Sequence, residues 1–154
     1  LLKSNLYGEH EVDGTTVRKP TVINFFVNRA LSGELLTVYK PGIQARNFIH
    51  VVDVARAYVR SAERLIQQLE NGMNGIETYE IAGEEDMSVM SVAKIVRDAA
   101  EEELGTKIDV ELVDNPRVAE TMVEEFGVDI SNARETLGWA PSESIKASVR
   151  RLMN

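Results

Sequence analysis

The segment Gly42-Ile43-Gln44-Ala45-Arg46-Asn47-Phe48-Ile49-His50-Val51-Val52-Asp53 sets the architecture. A glycine-containing loop delivers an arginine to an apolar run read as a strand over Phe48 to Val52. Asp53 then stands where a side-chain oxygen caps a helix. That helix continues to about Glu70 on Val54, Ala57, Tyr58, Ala62, Leu65 and Leu69. Working upstream, Leu35 to Tyr39 reads as a strand, and Lys40-Pro41-Gly42 as the turn that follows it. Pro20 opens a helix carrying Val22, Phe25, Phe26, Ala30 and Leu31, which Gly33 ends. Gly8 to Lys19 is polar and reads as a loop, and Leu1 to Leu6 as a strand running into Tyr7-Gly8. Downstream, Asn71-Gly72 and Asn74-Gly75 break the chain before a strand at Thr78 to Ala82. Ser88 caps a helix closed by Gly105, and Lys107 to Val113 alternates like a strand. Ser131 opens a short helix ended by Leu137-Gly138, and a last helix spans about Ser144 to Met153. Strands alternating with helices predict an α/β domain with a small mixed sheet.

The 154 residues are 44% hydrophobic, enough for a core of its own. Seventeen Lys and Arg against 25 Asp and Glu give a net charge of -8, which repels a phosphate backbone and excludes nucleic acid as the expected partner. A small phosphate ligand needs only a few cations placed locally. No cysteine is present, and His10 and His50 lack metal-ligand spacing, so neither disulfides nor a metal site is expected. No apolar run approaches the ~20 residues that span a bilayer, so no membrane partner is expected. Leu1 to Asn5 reads as a strand already under way, and the expectation is a piece of a longer protein.

Three stretches carry candidate chemistry. In Asn5-Leu6-Tyr7-Gly8, the Asn5 amide can meet a ligand lying across strand ends, where open α/β sheets bind ligands; a plain turn is the other reading. Arg46 has the fork geometry suited to phosphate, or else pairs with Asp53 or a nearby glutamate. Arg117, in Asn115-Pro116-Arg117, is a second cation placed in a loop after a strand. His50 reads as packed rather than catalytic, and Leu137-Gly138-Trp139-Ala140-Pro141 as structural punctuation.

In order and spacing, these stretches resemble the extended short-chain dehydrogenase/reductases, specifically the NAD-dependent nucleotide-sugar epimerases and dehydratases. That family's pattern runs Asn-x-Tyr-Gly, then Gly-x-Gln-x-Arg-Asp-Phe-Ile-x-Val-x-Asp, then a Ser-Val-opened helix. It finishes with an arginine loop and Asp-x-Ser-x-Ala-(Arg/Lys)-x-x-Leu-Gly-Trp-x-Pro, matched here by Asp129 to Pro141. The resemblance implies a Rossmann-type fold whose C-terminal, substrate-binding portion is residues 1–154, the N-terminal NAD-binding Rossmann domain being absent from this chain. It implies that Asn5 binds the substrate diphosphate, Val22 lines the nucleotide pocket, Tyr39 lies against the base, and Arg46 and Arg117 clamp the phosphates. Lys40 replaces a usual glycine, Asn47 a usual aspartate, and Glu9 a usual proline. The family's catalytic Tyr-x-x-x-Lys is missing, since Tyr7, Tyr39, Tyr58 and Tyr79 are followed four residues on by Glu11, Ile43, Ala62 and Gly83. No Gly-x-x-Gly-x-x-Gly loop occurs either.

The expectation is therefore the substrate-binding part of an isomerase or lyase of carbohydrate metabolism. It would take a UDP- or dTDP-sugar in the cytoplasm, with NAD held by the parent enzyme and none by this portion alone. The alternative is a non-catalytic binding or assembly module that retains the fold. Unpaired strand edges predict a homo-oligomer.

Overall fold

A computed structural model describes residues 1–84, 86–116, 123 and 126–154. The chain opens in one extended run that changes partners. Strand β1 (Leu2–Lys3) lies parallel to β7 (Glu80–Ile81), whereas β2 (Asn5–Tyr7) lies parallel to β6 (Ala45–His50). The change comes at Ser4, whose amide still donates to Ile81 O at 3.0 Å. On its other edge β6 pairs antiparallel with β8 (Asp86–Ser88). A separate parallel pair joins β5 (Leu36–Tyr39) to β9 (Val110–Val113). The mixed α/β class expected from the sequence is present, built from several small sheets.

The Gly8 to Lys19 loop reading is wrong: β3 (Glu9–Val12) and β4 (Thr15–Arg18) form an antiparallel hairpin. Asp13 and Gly14 turn it with φ of 49° and 73°, the double positive φ of a tight hairpin turn. Both faces are exposed, so no alternation of apolar and polar residues announces the strands.

Helix α1 (Val22–Leu31) begins later than expected: Thr21 is its N-cap residue, and Pro20 lies just before it rather than in its first turn. Helix α2 (Val51–Glu70) starts before Asp53, because His50 is its cap: the ring Nδ1 accepts from Val52 N at 3.2 Å. The preceding strand thus ends at His50 rather than Val52. Ser88 does cap α3 (Val89–Leu104), and Gly105 closes it at φ 64°. In α4 (Ser131–Leu137) Ser131 is already helical, and its amide donates to Asp129 Oδ1 at 2.8 Å. Ser144 caps α5 (Ile145–Met153).

Strand β6 separates two cores, since successive side chains point to opposite faces. Phe48 joins Ile23, Phe26, Leu36, Val96 and Val149 on one side. Ile49 joins Val54, Ile81, Leu137 and Trp139 on the other.

Candidate functional site

Asn5 and Arg46 arrive side by side because of strand register. Asn5 is the Cα partner of Phe48, and parallel partners share a face; Arg46, two residues before Phe48, shares it too. The offset along the strands is roughly 7 Å. Asn5 follows the point where the chain leaves β7 for β6, just beyond the carboxyl ends of the β1–β7 pair. The Asn5 amide donates one hydrogen to Asn47 O at 3.0 Å, and a carboxamide has a second. Half-buried Arg46 donates from Nη1 to Ala45 O at 2.9 Å.

Val22 is the first residue of α1, packed against the Phe48 core. Tyr39 ends β5, opposite Val113, with its ring 41% exposed. These two therefore stand on elements other than the β2–β6 pair. Arg117 lies outside the described residues.

A cavity of about 420 Å³ opens on the Phe48 face and is lined by Tyr7, Phe48, Met87, Ile95, Glu143 and Lys146 among others. Asn5, Val22, Tyr39 and Arg46 are not among its lining residues. Tyr7 Oη donates to Glu143 O at 3.3 Å, and burial pushes its pKa up to about 12, so the phenol stays protonated. His50 packs edge-on to it with ring centroids 5.0 Å apart. Burial lowers the His50 pKa against the opposing pull of Glu143 and Asp53. Gly8 makes this arrangement possible: at φ 81°, a Cβ there would lie 2.1 Å from His50 Nε2.

The sign of the His50 effect follows from its two roles. A folded pKa below the ordinary 6.5 means that the unfolded chain binds the proton more tightly. The contribution is complete above pH 6.5 and declines as pH falls toward the lower folded value, where protonation also removes the Nδ1 acceptor that caps α2. Acidification from pH 7 to 5.5 should lower the thermal midpoint, and the fall should be smaller in His50→Asn, which retains a cap oxygen. Equal falls in both proteins would remove His50 as the cause.

Sequence reasoning passed over Asn47 and Asp86, which link the strands around Arg46. Asn47 was visible only as a replaced aspartate. The partners of Asp86 are the Asn47 amide and Phe126 N, both far away in sequence. Among the described residues no group of His, Cys, Asp or Glu could hold a metal ion, and no helix is long and apolar enough to cross a membrane.

The chain is similar to known proteins over most of its length. UDP-glucuronic acid decarboxylase 6 of Arabidopsis thaliana is 30% identical over 125 residues, 81% of this chain and 32% of that protein. A putative UDP-glucose 4-epimerase of Methanocaldococcus jannaschii is 28% identical, covering 98% of this chain and 43% of the relative. The chain thus spans about a third to two fifths of the length of these relatives. The solved UDP-N-acetylglucosamine 4-epimerase from Methanobrevibacter ruminantium superposes with a TM-score of 0.71 at 24% identity, over 98% of this chain and 43% of that one. At that identity the likeness establishes the Rossmann-type epimerase fold. The NAD dependent epimerase/dehydratase family model matches residues 1–82, more than half of the chain, and the protein belongs to that family.

Proposed function

We propose that this chain is the substrate-binding portion of an NAD-dependent enzyme that epimerises or dehydrates a UDP- or dTDP-sugar, and that its own task is to hold the nucleotide diphosphate. One observation carries the reading. Asn5 and Arg46 face the same side of adjoining parallel strands, immediately after the chain switches sheets at Ser4. Open α/β sheets bind ligands at the carboxyl ends of strands where the topology switches. Asn5 and Arg46 stand at the amino ends of β2 and β6, next to where β1 and β7 end, and the second Asn5 N–H and the Arg46 guanidinium would bind phosphate oxygens. Arg117 would complete the clamp, Val22 would border the nucleotide, and Tyr39 would stack its exposed ring on the base.

The residues present do not fit the dinucleotide itself. Gly8, which ends parallel strand β2, leads into the β3–β4 hairpin rather than into a helix N-terminus that could face a pyrophosphate. With no Tyr-x-x-x-Lys in the sequence, no proton or hydride step is assigned to these residues. The parent enzyme would belong to cytoplasmic carbohydrate metabolism, with NAD held outside residues 1–154.

Isothermal titration with UDP and dTDP tests the reading. Micromolar binding should weaken at least ~10-fold in Arg46→Ala, the loss of a charge-assisted contact. A folded chain that binds neither nucleotide would sink it.

Self-association belongs to the same reading. Helix α2 is apolar around a wide arc, of which Val54 and Ala57 cover only part. Tyr58, Leu65, Ile66 and Leu69 are each more than half exposed, leaving roughly 100° of apolar circumference open. Light scattering at high concentration should find a species larger than the 17.2 kDa monomer. A clean monomer counts against it.

A further inference from the structure

We infer that Asn47 and Asp86 are a matched donor–acceptor pair that positions the diphosphate site without touching the ligand. The inference rests on the diphosphate reading and adds two positioning residues to it.

Asn47 directly follows Arg46 and is 2% exposed. Every polar atom of its side chain is engaged. Oδ1 accepts from Gly83 N at 2.9 Å; Nδ2 donates to Gly83 O at 2.9 Å and to Asp86 Oδ1 at 3.0 Å. The orientation of the carboxamide is forced, because the Gly83 N–H needs an oxygen and the Asp86 carboxylate needs the NH2. Its main-chain oxygen accepts the Asn5 amide. Asp86, the cross-strand partner of Asn47 in register, accepts from Phe126 N through Oδ2 at 3.0 Å. On the other side of Arg46, Ala45 N donates to Val123 O at 2.8 Å. Both neighbours of Arg46 are therefore tied down. Residue 47 is the node through which Asn5, the end of β7 and Phe126 are held in one arrangement.

The amide is indispensable to this arrangement. A carboxylate at residue 47 would still accept from Gly83 N but would face the Asp86 carboxylate at hydrogen-bond distance, and two carboxylates repel. Exposed Asp86 would swing into solvent and release Phe126 N. The aspartate expected at this position from the family pattern is thus disfavoured beside Asp86. Exchanging the two side chains restores the link between residues 47 and 86 but not the bond to Gly83 O, which loses its Nδ2 donor. The carboxylate, now on β6, accepts from the carboxamide NH2, now on β8, and the carboxamide oxygen accepts from Phe126 N.

Asn47→Asp, Asp86→Asn and the double variant separate the possibilities. UDP affinity by titration should fall ~10-fold in Asn47→Asp with the fold retained, and recover in part in the double variant, which still lacks the donor to Gly83 O. Amide exchange at Phe126 should be slow in the wild type, fast in Asn47→Asp and slow again in the double. Should Asn47→Asp not fold, Asp86→Asn, at an exposed position, still weakens binding, because one amide oxygen cannot serve both donors. Unchanged affinity in either folded single variant, or losses that simply add, would overturn the pairing while leaving the diphosphate reading intact. A wild type that binds no nucleotide overturns both, and the exchange pattern then reports only a structural clip.

Discussion

Replacing Asp53 with alanine is expected to destabilise the protein by about 2–3 kcal/mol, the effect of leaving several partly buried donors without their acceptor. The side chain is fully buried. Its carboxylate accepts from Ser142 N at 3.1 Å, Ser142 Oγ at 3.0 Å and Glu143 N at 3.0 Å, and Arg56 lies 3.1 Å away. Alanine would leave those amides without their carboxylate acceptor at a partly buried turn. It would also free the turn before α5, a helix whose Val149 and Met153 complete the first core. Trp139 strengthens the effect, since its indole Nε1 donates to Asp53 O at 2.9 Å and ties the same turn to α2. Chemical denaturation should report the loss as a lower midpoint at unchanged slope. Asp53→Asn, keeping one acceptor oxygen, should lose less. If alanine were tolerated within 1 kcal/mol, on the order of a surface substitution, the carboxylate would not be what fastens the turn.

Gly83→Ala is the second large effect, about 3 kcal/mol from overpacking together with broken hydrogen bonds. A Cβ at Gly83 would sit 2.3 Å from Phe48 O. That oxygen belongs to the central strand of the β2–β6–β8 sheet and cannot rotate aside as a side chain would. Either β6 or the end of β7 must shift, and both hydrogen bonds between Gly83 and Asn47 stretch with it. The variant should therefore lose stability and UDP affinity together. Stability lost with full affinity would separate the Gly83 contact from the Arg46 site.

Local features were legible in the sequence, distant ones were not. Ser88, Gly105, Gly138 and Ser144 announce helix ends because a cap acts within one turn of its own chain. Asp53 looked like such a cap and is instead an acceptor for residues 142 and 143, a partnership that only the fold creates. His50 took the capping role with a ring nitrogen, which the usual preference for Ser, Thr, Asp and Asn does not anticipate. The β3–β4 hairpin escaped notice because strands exposed on both faces carry no periodic signature; the Asp13-Gly14 turn was the available clue. At the site, the family motif drew attention to Asn5 and Arg46 one at a time. Their shared face depends on the Asn5–Phe48 register, which is set by pairing across 43 positions of sequence. Asn47 and Asp86 depend on a second such pairing.

The first strand has a consequence for how the protein is made. Leu2 and Lys3 find their partners only at Glu80 and Ile81. What β1 gains there is backbone pairing rather than cover, since Leu2 stays 60% exposed, and that pairing has to wait until residues 80 and 81 are made. Contacts so far apart in sequence form late and slowly. During that interval the open backbone of β1 can pair with another chain instead.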